Sequence, residues 1–413
     1  MSNWSPVWRI KVNGTVSTNY ILATLSMTSG RTTIWQQPQA SYCNFTIILL
    51  DGSDPDININ DTISVELQNS SATYIHLFGG AVSDVTLTVS QVGTSAVTQE
   101  LRVVAYGGLA KLQRQLSGGG LSQNFDGYQI KQALNDYSNF AYSSAFANIS
   151  WANFPGSQTY AYSTGWGTID VPGDYLQVAR AVNPQNVYST ASSIANSGMG
   201  NIYEDATGKV CYADSTRRVD YLAVNGYIDL TANDAIGQGL QTKMSVGDVR
   251  NSITVNYGVG GAFSTSASDA TSIALYGRNG YTVNSTLSLL ASAIQQAAFY
   301  LKYFANPVPN FNSIRFGLGN PDITDVRRDK LISIFFGAPV RINDLPSNME
   351  TPFLGFVEGF TFQASYNDAS LTLNVSALAY SVRAIQWQQV SVLEKYNTLS
   401  PTLDYAHAIT SVV

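Results

Sequence analysis

The strongest periodic signal in the chain lies between residues 285 and 305, where apolar residues recur at spacings of three and four. They are Leu287, Leu290, Ala291, Ile294, Ala298, Leu301 and Phe304. Such spacing places them on one face of an amphipathic helix. Ser285 or Asn284 can accept a hydrogen bond from the first free amides, and Asn306-Pro307 ends the helix because the residue before proline avoids helical geometry. The pattern predicts a helix over residues 285–305 with this face buried.

Ile294 lies in the middle of the predicted face. An aspartate there would place an unpaired charge in a core, at a cost of several kcal/mol. We therefore expect Ile294→Asp to abolish folding.

Most of the remaining signal has the period of two that is typical of β-strands. One clear row alternates Cys43, Phe45, Ile47 and Leu49 with polar residues, and we expect it to face a core. Ile253, Val255 and Tyr257 alternate in the same way, as do Ile273 and Leu275. The segments LISIFFG, PVRIND, FLGFVEGFTFQ and ASLTLNV predict further strands, the last two as a hairpin across Asn367-Asp368.

Changes in pattern divide the chain into four parts. Short strands at near-regular spacing fill residues 1–116 and 221–380, and each region is typical of a β-barrel or sandwich. Residues 117–220 begin with SGGG and predict a small mixed α+β domain, in which IYEDATGKVCY reads as a hairpin. Residues 381–413 form a C-terminal tail without a strong period. The expected class is mainly β with α+β parts, the second β region being flanked by the long helix 285–305.

Composition limits the possible functions. Only 12% of the 413 residues are charged, against roughly 25% in an average soluble domain. The net charge of −6 argues against a protein that grips nucleic-acid phosphates. Cys43 and Cys211 are the only cysteines and are expected to be free thiols. Neither a signal peptide nor an apolar run long enough to span a membrane is expected.

Few residues suggest catalysis or metal binding. His76 and His407 have no second ligand or nucleophile nearby in sequence, and residues 51–61 lack the spacing of an EF-hand. The GVGG of residues 258–261 is read as a flexible loop, because it lacks the spacing of a phosphate-binding motif. The carboxylates that a fold could pair for glycoside hydrolysis are Glu358, Asp368, Asp174 and Glu204.

Aromatic residues cluster in the middle of the chain. They are Trp151, Tyr160, Tyr162, Trp166 and Tyr175. Aromatic faces of this kind can stack on sugar rings or contact a partner. The core of a loop or an interface is the favoured alternative.

A family resemblance rests on the order of several motifs. They are WRIKVNG, SYCNFTIILLDG and LFGGAVSDV in the first β region, GNIYEDATGKVCYAD in the middle, and VRNSITVNYG, SIALYGRNG, STLSLLASAIQQAAFYL, INDLP and FLGFVEGFTFQ in the second. In this order the chain resembles the tail hub proteins of long-tailed bacteriophages, also called baseplate hub or minor tail proteins. The similarity is one of pattern over nearly the whole chain, without an invariant catalytic signature.

The resemblance implies a structural, non-enzymatic protein of the virion tail tip or baseplate, with no cofactor and no metal. It implies that each chain supplies two tail-tube-like β-barrel domains, so that a homotrimer forms a pseudo-sixfold ring on the tail tube. Implied neighbours are the distal tail protein, the tape measure protein and central tip or fibre proteins. DNA would pass through the ring, so we expect a neutral or acidic lumen rich in Ser, Thr, Asn and Gln. The alternatives are a carbohydrate-binding receptor module and a cell-wall hydrolase.

Overall fold

A computed structural model describes residues 4–18, 20–49, 56–89, 99–117, 119–135, 162–164, 167–182, 185–243, 246–307, 310–346 and 352–376. The first strands are β1 (Trp8–Val12), β2 (Thr15–Val16), β3 (Tyr20–Gly30), β4 (Gln39–Leu49), β5 (Thr62–Gln68), β6 (Tyr74–Val89), β7 (Gln99–Tyr106), β8 (Leu116–Ser117), β9 (Asn124–Phe125), β10 (Tyr162–Thr164), β11 (Gly167–Ile169), β12 (Leu176–Gln177), β13 (Gln185–Asn186), β14 (Asn201–Glu204) and β15 (Val210–Ala213). The later strands are β16 (Ile228–Thr231), β17 (Ala235–Lys243), β18 (Ser252–Tyr257), β19 (Phe263–Ser268), β20 (Gly280–Asn284), β21 (Asn310–Gly317), β22 (Pro339–Asn343), β23 (Phe353–Ser365) and β24 (Ala369–Ser376). The helices are α1 (Leu109–Arg114), α2 (Asp126–Asn135), α3 (Val187–Ser197), α4 (Arg217–Asn225), α5 (Ala270–Tyr276), α6 (Leu290–Phe304) and α7 (Asp325–Ile332).

One long sheet of thirteen strands organises the described part of the chain. Eight of its strands follow the order β17-β21-β24-β23-β3-β4-β7-β6, and every neighbouring pair along this path is antiparallel. The two predicted β regions therefore meet edge to edge, through the pairing of β23 with β3. The prediction of a mainly β chain is confirmed. The predicted closed barrels are not formed, because the strand order of the described residues is open.

The long sheet contains the same strand order twice. Across the sheet, one set of four strands runs β3-β4-β7-β6 and the other runs β17-β21-β24-β23. Numbered along the chain, the strands of each set therefore lie in the order first, second, fourth, third. In each set the third strand is long, and its beginning pairs with a shorter strand that precedes it, β5 or β22. Its end pairs with the fourth strand, β7 or β24. The sheet is thus an internal structural repeat, which sequence identity does not reveal.

Apolar side chains form continuous rows on one face of this sheet. One row crosses seven strands through Phe316, Leu371, Phe362, Met27, Cys43, Ala105 and Val82, all of them buried. Because side chains alternate along each strand, a shift of register by one residue would turn this row to solvent. The same core cluster includes Tyr203 and Cys211 of the β14–β15 hairpin, so the middle part of the chain packs on this face. Both cysteines are free and buried, as expected.

The segment that follows β17 and precedes β21 in the sequence forms a separate layer, which consists of a three-stranded sheet and α6. Strand β18 lies between β19 and β20, and α6 packs with Ile253 and Val255 in one core cluster. Trp35, from the turn after β3, closes this core against Phe304, with ring centroids 4.4 Å apart. The turn of the first repeat thereby supports the layer inserted in the second.

Three sequence predictions about local structure are wrong. The long helix begins at Leu290, not at residue 285, and Leu287 is buried before it as part of an extended segment. The segment SIALYG is helical, since the side chain of Asp269 accepts a hydrogen bond from the Ser272 amide and caps α5. The start of LISIFFG belongs to α7, and no strand follows before β22 among the described residues.

The predicted apolar face of the long helix is only partly buried, since Phe304 lies in the core and Leu301 packs against it. Ile294 is 45% exposed, and Leu290 and Ala298 are exposed too. The face that packs on the sheet carries mostly small and polar residues instead, among them Ser292, Ala293 and Ala297, together with Phe299. Strands β18 and β19 approach the helix where its side chains are small, and this decides which face is buried.

Two predicted hairpins are confirmed. Strands β14 and β15 pair antiparallel across a turn in which Gly208 has a φ of +79°, a conformation that favours glycine. Strands β23 and β24 pair across residues 366–368, and Leu371, Leu373 and Val375 form the buried row. The four-part domain division stays a prediction.

Candidate functional site

The face of the long sheet opposite the core is built mainly from polar residues, most of them uncharged. One row crosses six strands through Arg315, Thr372, Thr361, Thr28, Tyr42 and Tyr106. Each of these residues is a sequence neighbour of a buried apolar residue, so the alternation that fills the core also creates this face. We call these rows the polar face.

Two further rows extend the polar face. One contains Ser370, Gln363, Ser26, Asn44, Val104 and Asp84, and the other contains Ser365, Thr24, Thr46, Arg102 and Thr86. Most of their side chains are half-buried or exposed in the single chain. The polar face therefore continues across both repeats without a break at their junction.

Hydrogen bonds connect neighbouring strands on the polar face. The hydroxyls of Thr28 and Thr361 lie 3.4 Å apart across the junction of the repeats. Arg102 donates to the amide oxygen of Asn44 over 3.3 Å. This guanidinium thus contacts a neighbouring strand, while the Arg102 residue stays exposed.

Charges on the polar face are few and of both signs. Its arginines are Arg102 on β7 and Arg315 on β21, and its acidic residues are Asp84 on β6 and Glu100 on β7. Arg315 donates to the hydroxyl of Ser370 over 3.2 Å. The described rows thus have no basic stripe that would hold a phosphate backbone.

A buried ion-pair network lies on the core side of the junction between the repeats. Glu358 of β23 pairs with Arg31 at 2.7 Å and with Arg218 of α4 at 2.7 Å, and also accepts from Ser376. Although burial alone would raise the pKa of Glu358, the Arg218 and Arg31 guanidiniums lower it to about 2. Glu358 thus ties together the first repeat, the middle part of the chain and the second repeat.

The other carboxylates considered for hydrolysis serve local structure. Glu204 is buried and accepts hydrogen bonds from the amides of Ser41 and Leu109, and burial raises its pKa to about 7. Asp174 accepts from the hydroxyl of Ser215 over 2.8 Å. Asp368 lies in the turn between β23 and β24, where its carbonyl accepts from the Ser365 amide. The carboxylates of Glu358, Glu204 and Asp174 are thus engaged in structural contacts, and Asp368 contributes its backbone carbonyl to a turn.

His76 has partners that its sequence context did not indicate. The hydroxyl of Ser64 and the carboxylate of Glu66 both lie 3.2 Å from the same ring nitrogen, Nδ1. A Ser-His-acid triad needs its serine and its acid on different ring nitrogens, so this cluster lacks that geometry. Burial lowers the pKa of His76, which keeps the ring neutral at neutral pH. His407 lies outside the described residues.

The structure places one ring of the predicted aromatic cluster. Tyr175 is 1% exposed, and its hydroxyl donates to the side chain of Gln295 on α6. It packs in the core between the middle part and α6. Trp151, Tyr160, Trp166 and the side chain of Tyr162 lie outside the described residues.

The described residues contain no cluster of acidic, histidine and cysteine side chains that could hold a metal ion. Of the acidic segment 51–61, residues 51–55 lie outside the described part, and the Asp61 side chain accepts from the Asn58 amide as in a turn. In the described part of the chain, no helix is long and apolar enough to cross a membrane.

Sequence comparison finds no matching family model and no matching curated protein. Comparison of structures finds a tail protein from Neisseria meningitidis, with a TM-score of 0.57 and 12% identity over 90% of this chain and 97% of that one. It also finds the 43 kDa tail protein of prophage MuSo2 from Shewanella oneidensis, with a TM-score of 0.55 and 9% identity over 90% of this chain and 98% of that one. The chain therefore has the fold of phage tail proteins, and the resemblance seen in the motif order is confirmed at the level of the fold.

Proposed function

We propose that this chain is a structural hub protein of a phage tail tip or baseplate, and that three copies form a pseudo-sixfold ring which joins the tail tube to the tip. The observation that carries this proposal is the doubled strand order of the long sheet. Each chain contains two equivalent units, so a trimer contains six. Three chains can therefore match a sixfold neighbour.

The junction inside the chain provides a template for the contact between chains. Inside the chain, the third strand of one repeat, β23, pairs antiparallel with the first strand of the other, β3. The third strand of the remaining repeat, β6, has a described partner on one side only from Ser83 to Val89. The first strand, β17, is the opposite edge of the path. Their directions allow the same antiparallel pairing between β6 of one copy and β17 of the next.

An exposed apolar side chain at the β6 edge supports this contact. Leu87 on β6 points to the core side of the sheet, opposite the buried Leu101, yet is 45% exposed. On β17, Ala235 is on the core side and is only partly buried, whereas the exposed Ile236 faces the polar side. A neighbouring copy would cover Leu87, which removes apolar surface from water. Edges without a partner are otherwise a liability for a soluble protein.

The size of the closed ring fits a DNA channel. Three chains of eight strands supply twenty-four strands. With strands about 4.8 Å apart and a tilt of roughly 40°, such a ring is roughly 45–50 Å across at the backbone. With the core on the outside, the polar face lines the channel. Its Thr, Ser, Asn and Gln side chains would let DNA pass without binding phosphates.

The proposed partners and location follow from this role. In a virion tail tip the ring would contact the distal tail protein, the tape measure protein and central tip or fibre proteins. Residues 1–116 and 221–380 would be the two tube-like units, whose barrel closes only between chains. The described part of residues 117–220 would then serve contacts outside the tube wall, and no enzymatic activity is required. The predicted tail, residues 381–413, lies outside the described residues.

The test compares two lysine substitutions at neighbouring positions of the free edge. Leu87→Lys places a charge on the apolar side of β6 where the next copy would pack, so we expect a folded monomer. Thr86→Lys adds the same charge to the channel side of the same strand and should leave the trimer intact. Mass measurement by light scattering separates these results. Trimers of both variants would contradict the proposed edge contact, and a monomeric wild-type chain at assembly concentrations would contradict the ring.

The two alternative functions have direct tests of their own. A soluble monomer that binds sugar would support a carbohydrate-binding module, and release of soluble fragments from cell-wall polymer would support a hydrolase. The roles of Glu358 and Glu204 in buried networks favour neither.

A further inference from the structure

The hairpin between β18 and β19 ends in an exposed, uncharged apolar tip. Residues 257–268 read YGVGGAFSTSAS and contain no Asp, Glu, Lys, Arg or His. Every residue from 259 to 264 is exposed. Val259 is 71% exposed and Phe263 is 59% exposed. We call residues 258–263 the hairpin tip.

The backbone of the hairpin tip is hydrogen-bonded within the chain. The Gly258 amide donates to the Leu287 carbonyl over 2.8 Å, and the Gly261 amide donates to the Gly258 carbonyl over 3.0 Å. The Ala262 amide donates to the Val259 carbonyl over 3.3 Å. An apolar medium penalises backbone groups that lack such partners. This tip can therefore leave water without losing these hydrogen bonds.

A firm base supports the hairpin tip. Ile253 and Val255 of β18 are fully buried against α6, and the rings of Tyr257 and Phe263 lie 5.6 Å apart. On the opposite side of this small sheet, the hydroxyls of Thr254 and Ser266 lie 3.0 Å apart, and Asn256 donates to Asn284 over 2.7 Å. The neighbourhood of the tip is polar without being charged.

We propose that the hairpin tip inserts Val259 and Phe263 into the interfacial layer of a lipid bilayer. A tip with no charge, in which the amides of Gly258, Gly261 and Ala262 are bonded internally, suits a medium that cannot solvate polar groups. A protein pocket would not require the second property, and anchors at protein interfaces are enriched in Trp, Tyr and Arg. Insertion of two side chains from a turn is shallow, and differs from a membrane span.

Vesicle flotation with the full-length protein tests the proposal. Vesicles of phosphatidylcholine and phosphatidylethanolamine carry no net charge, so they report apolar insertion alone. We expect the wild-type chain to float with them at low and high salt. The double variant Val259→Ser/Phe263→Ser should reduce the bound fraction at least about tenfold. Tyr366→Ser is the matched control, because it removes an exposed aromatic ring from another hairpin turn and should bind as the wild type does.

A second measurement reports insertion depth. Brominated lipid should quench the tryptophan fluorescence of the Phe263→Trp variant more strongly than that of the wild-type chain, which has six tryptophans. Failure of the wild-type chain to float, loss of binding at high salt or equal flotation of the double variant would each overturn the proposal. The proposal would also be overturned if the double variant failed to enter tail particles and the wild type did not bind vesicles, because the tip would then contact protein. None of these outcomes depends on whether three chains form a ring.

Discussion

Glu358 is the residue on which the junction between the two repeats depends most. It is buried, and its carboxylate is shared by Arg31, Arg218 and Ser376 from three separate segments. Removing one partner of a buried ion-pair network leaves uncompensated charge, at a typical cost of about 3–5 kcal/mol. We therefore expect Glu358→Gln to lower the free energy of unfolding by about this amount at neutral pH. Denaturant unfolding measures it, with the exposed Glu100→Gln as control.

The same carboxyl group makes stability depend on pH. The folded pKa of Glu358, about 2, lies below its ordinary value of 4.5. Its contribution is therefore fully present above the unfolded pKa and is lost as pH falls from about 5 towards 2. The difference in unfolding free energy between wild type and Glu358→Gln should shrink over that interval. A difference that stays constant down to acidic pH would contradict the assigned ion pairs.

Gly30 permits the close approach of β3 and β23. A Cβ at this position would lie 2.4 Å from the Glu358 carbonyl oxygen and 2.6 Å from the Gly359 Cα, and its φ is +89°. Gly14 has a similar φ of +80° but open space around it. Gly14→Ala should therefore cost about 1 kcal/mol from backbone strain alone. Gly30→Ala should cost clearly more, because the clash is with backbone. Equal melting temperatures of the two variants would show that the junction is looser than described.

At the scale of elements, the observed orientation of α6 changes the expected effect of Ile294→Asp. Ile294 is half exposed, so Ile294→Asp should now fold normally and cost less than about 1 kcal/mol. Ala297, three residues further on, is 1% exposed in the core against the small sheet. Ala297→Asp should abolish soluble expression, because its charge has no partner there. Thermal unfolding and soluble yield compare the two, and destabilisation of similar size in both would contradict the orientation of α6.

The strands show how far local pattern determines structure. The row from Cys43 to Leu49 was predicted to face a core, and every apolar member of it is buried. In α6 the pattern misplaces the buried face. The larger apolar residues dominate the periodic signal, whereas close packing of the helix on the small sheet favours the small side chains of Ala293 and Ala297. In SIALYG, the two alternating residues Ile273 and Leu275 were too few to outweigh the Asp269 cap. Longer periodic runs were predictable, whereas short runs and the choice of helix face depend on tertiary contacts.

The site was less predictable than the elements. The composition already indicated a neutral polar surface, and the polar face is rich in Thr, Ser and Asn; that this face lines a lumen stays a proposal. Which strands lie side by side could not be predicted, since the pairing of Thr361 with Thr28 joins residues from opposite ends of the chain. The partners of Glu358 were missed for the same reason, because Arg31 and Arg218 become its neighbours only through folding.

At the scale of the whole molecule, the eight strands of the doubled order make one chain a third of the proposed twenty-four-strand ring. One contact, β23 with β3, is formed within the chain, and the proposed equivalent would pair β6 of one copy with β17 of the next. Closed assembly would remove both free edges of the eight-strand path and leave the polar face inside. Open sheets do not provide that protection.

A reconstruction of the assembled protein by electron cryomicroscopy tests this central claim most directly. We predict three copies in a closed ring of twenty-four strands, with β6 of each copy paired antiparallel with β17 of the next. Thr28, Thr361 and Asn44 should face the channel, with the apolar row outside. A different number of copies, a channel lined by continuous Lys and Arg, or a polar face on the outer surface would contradict the account.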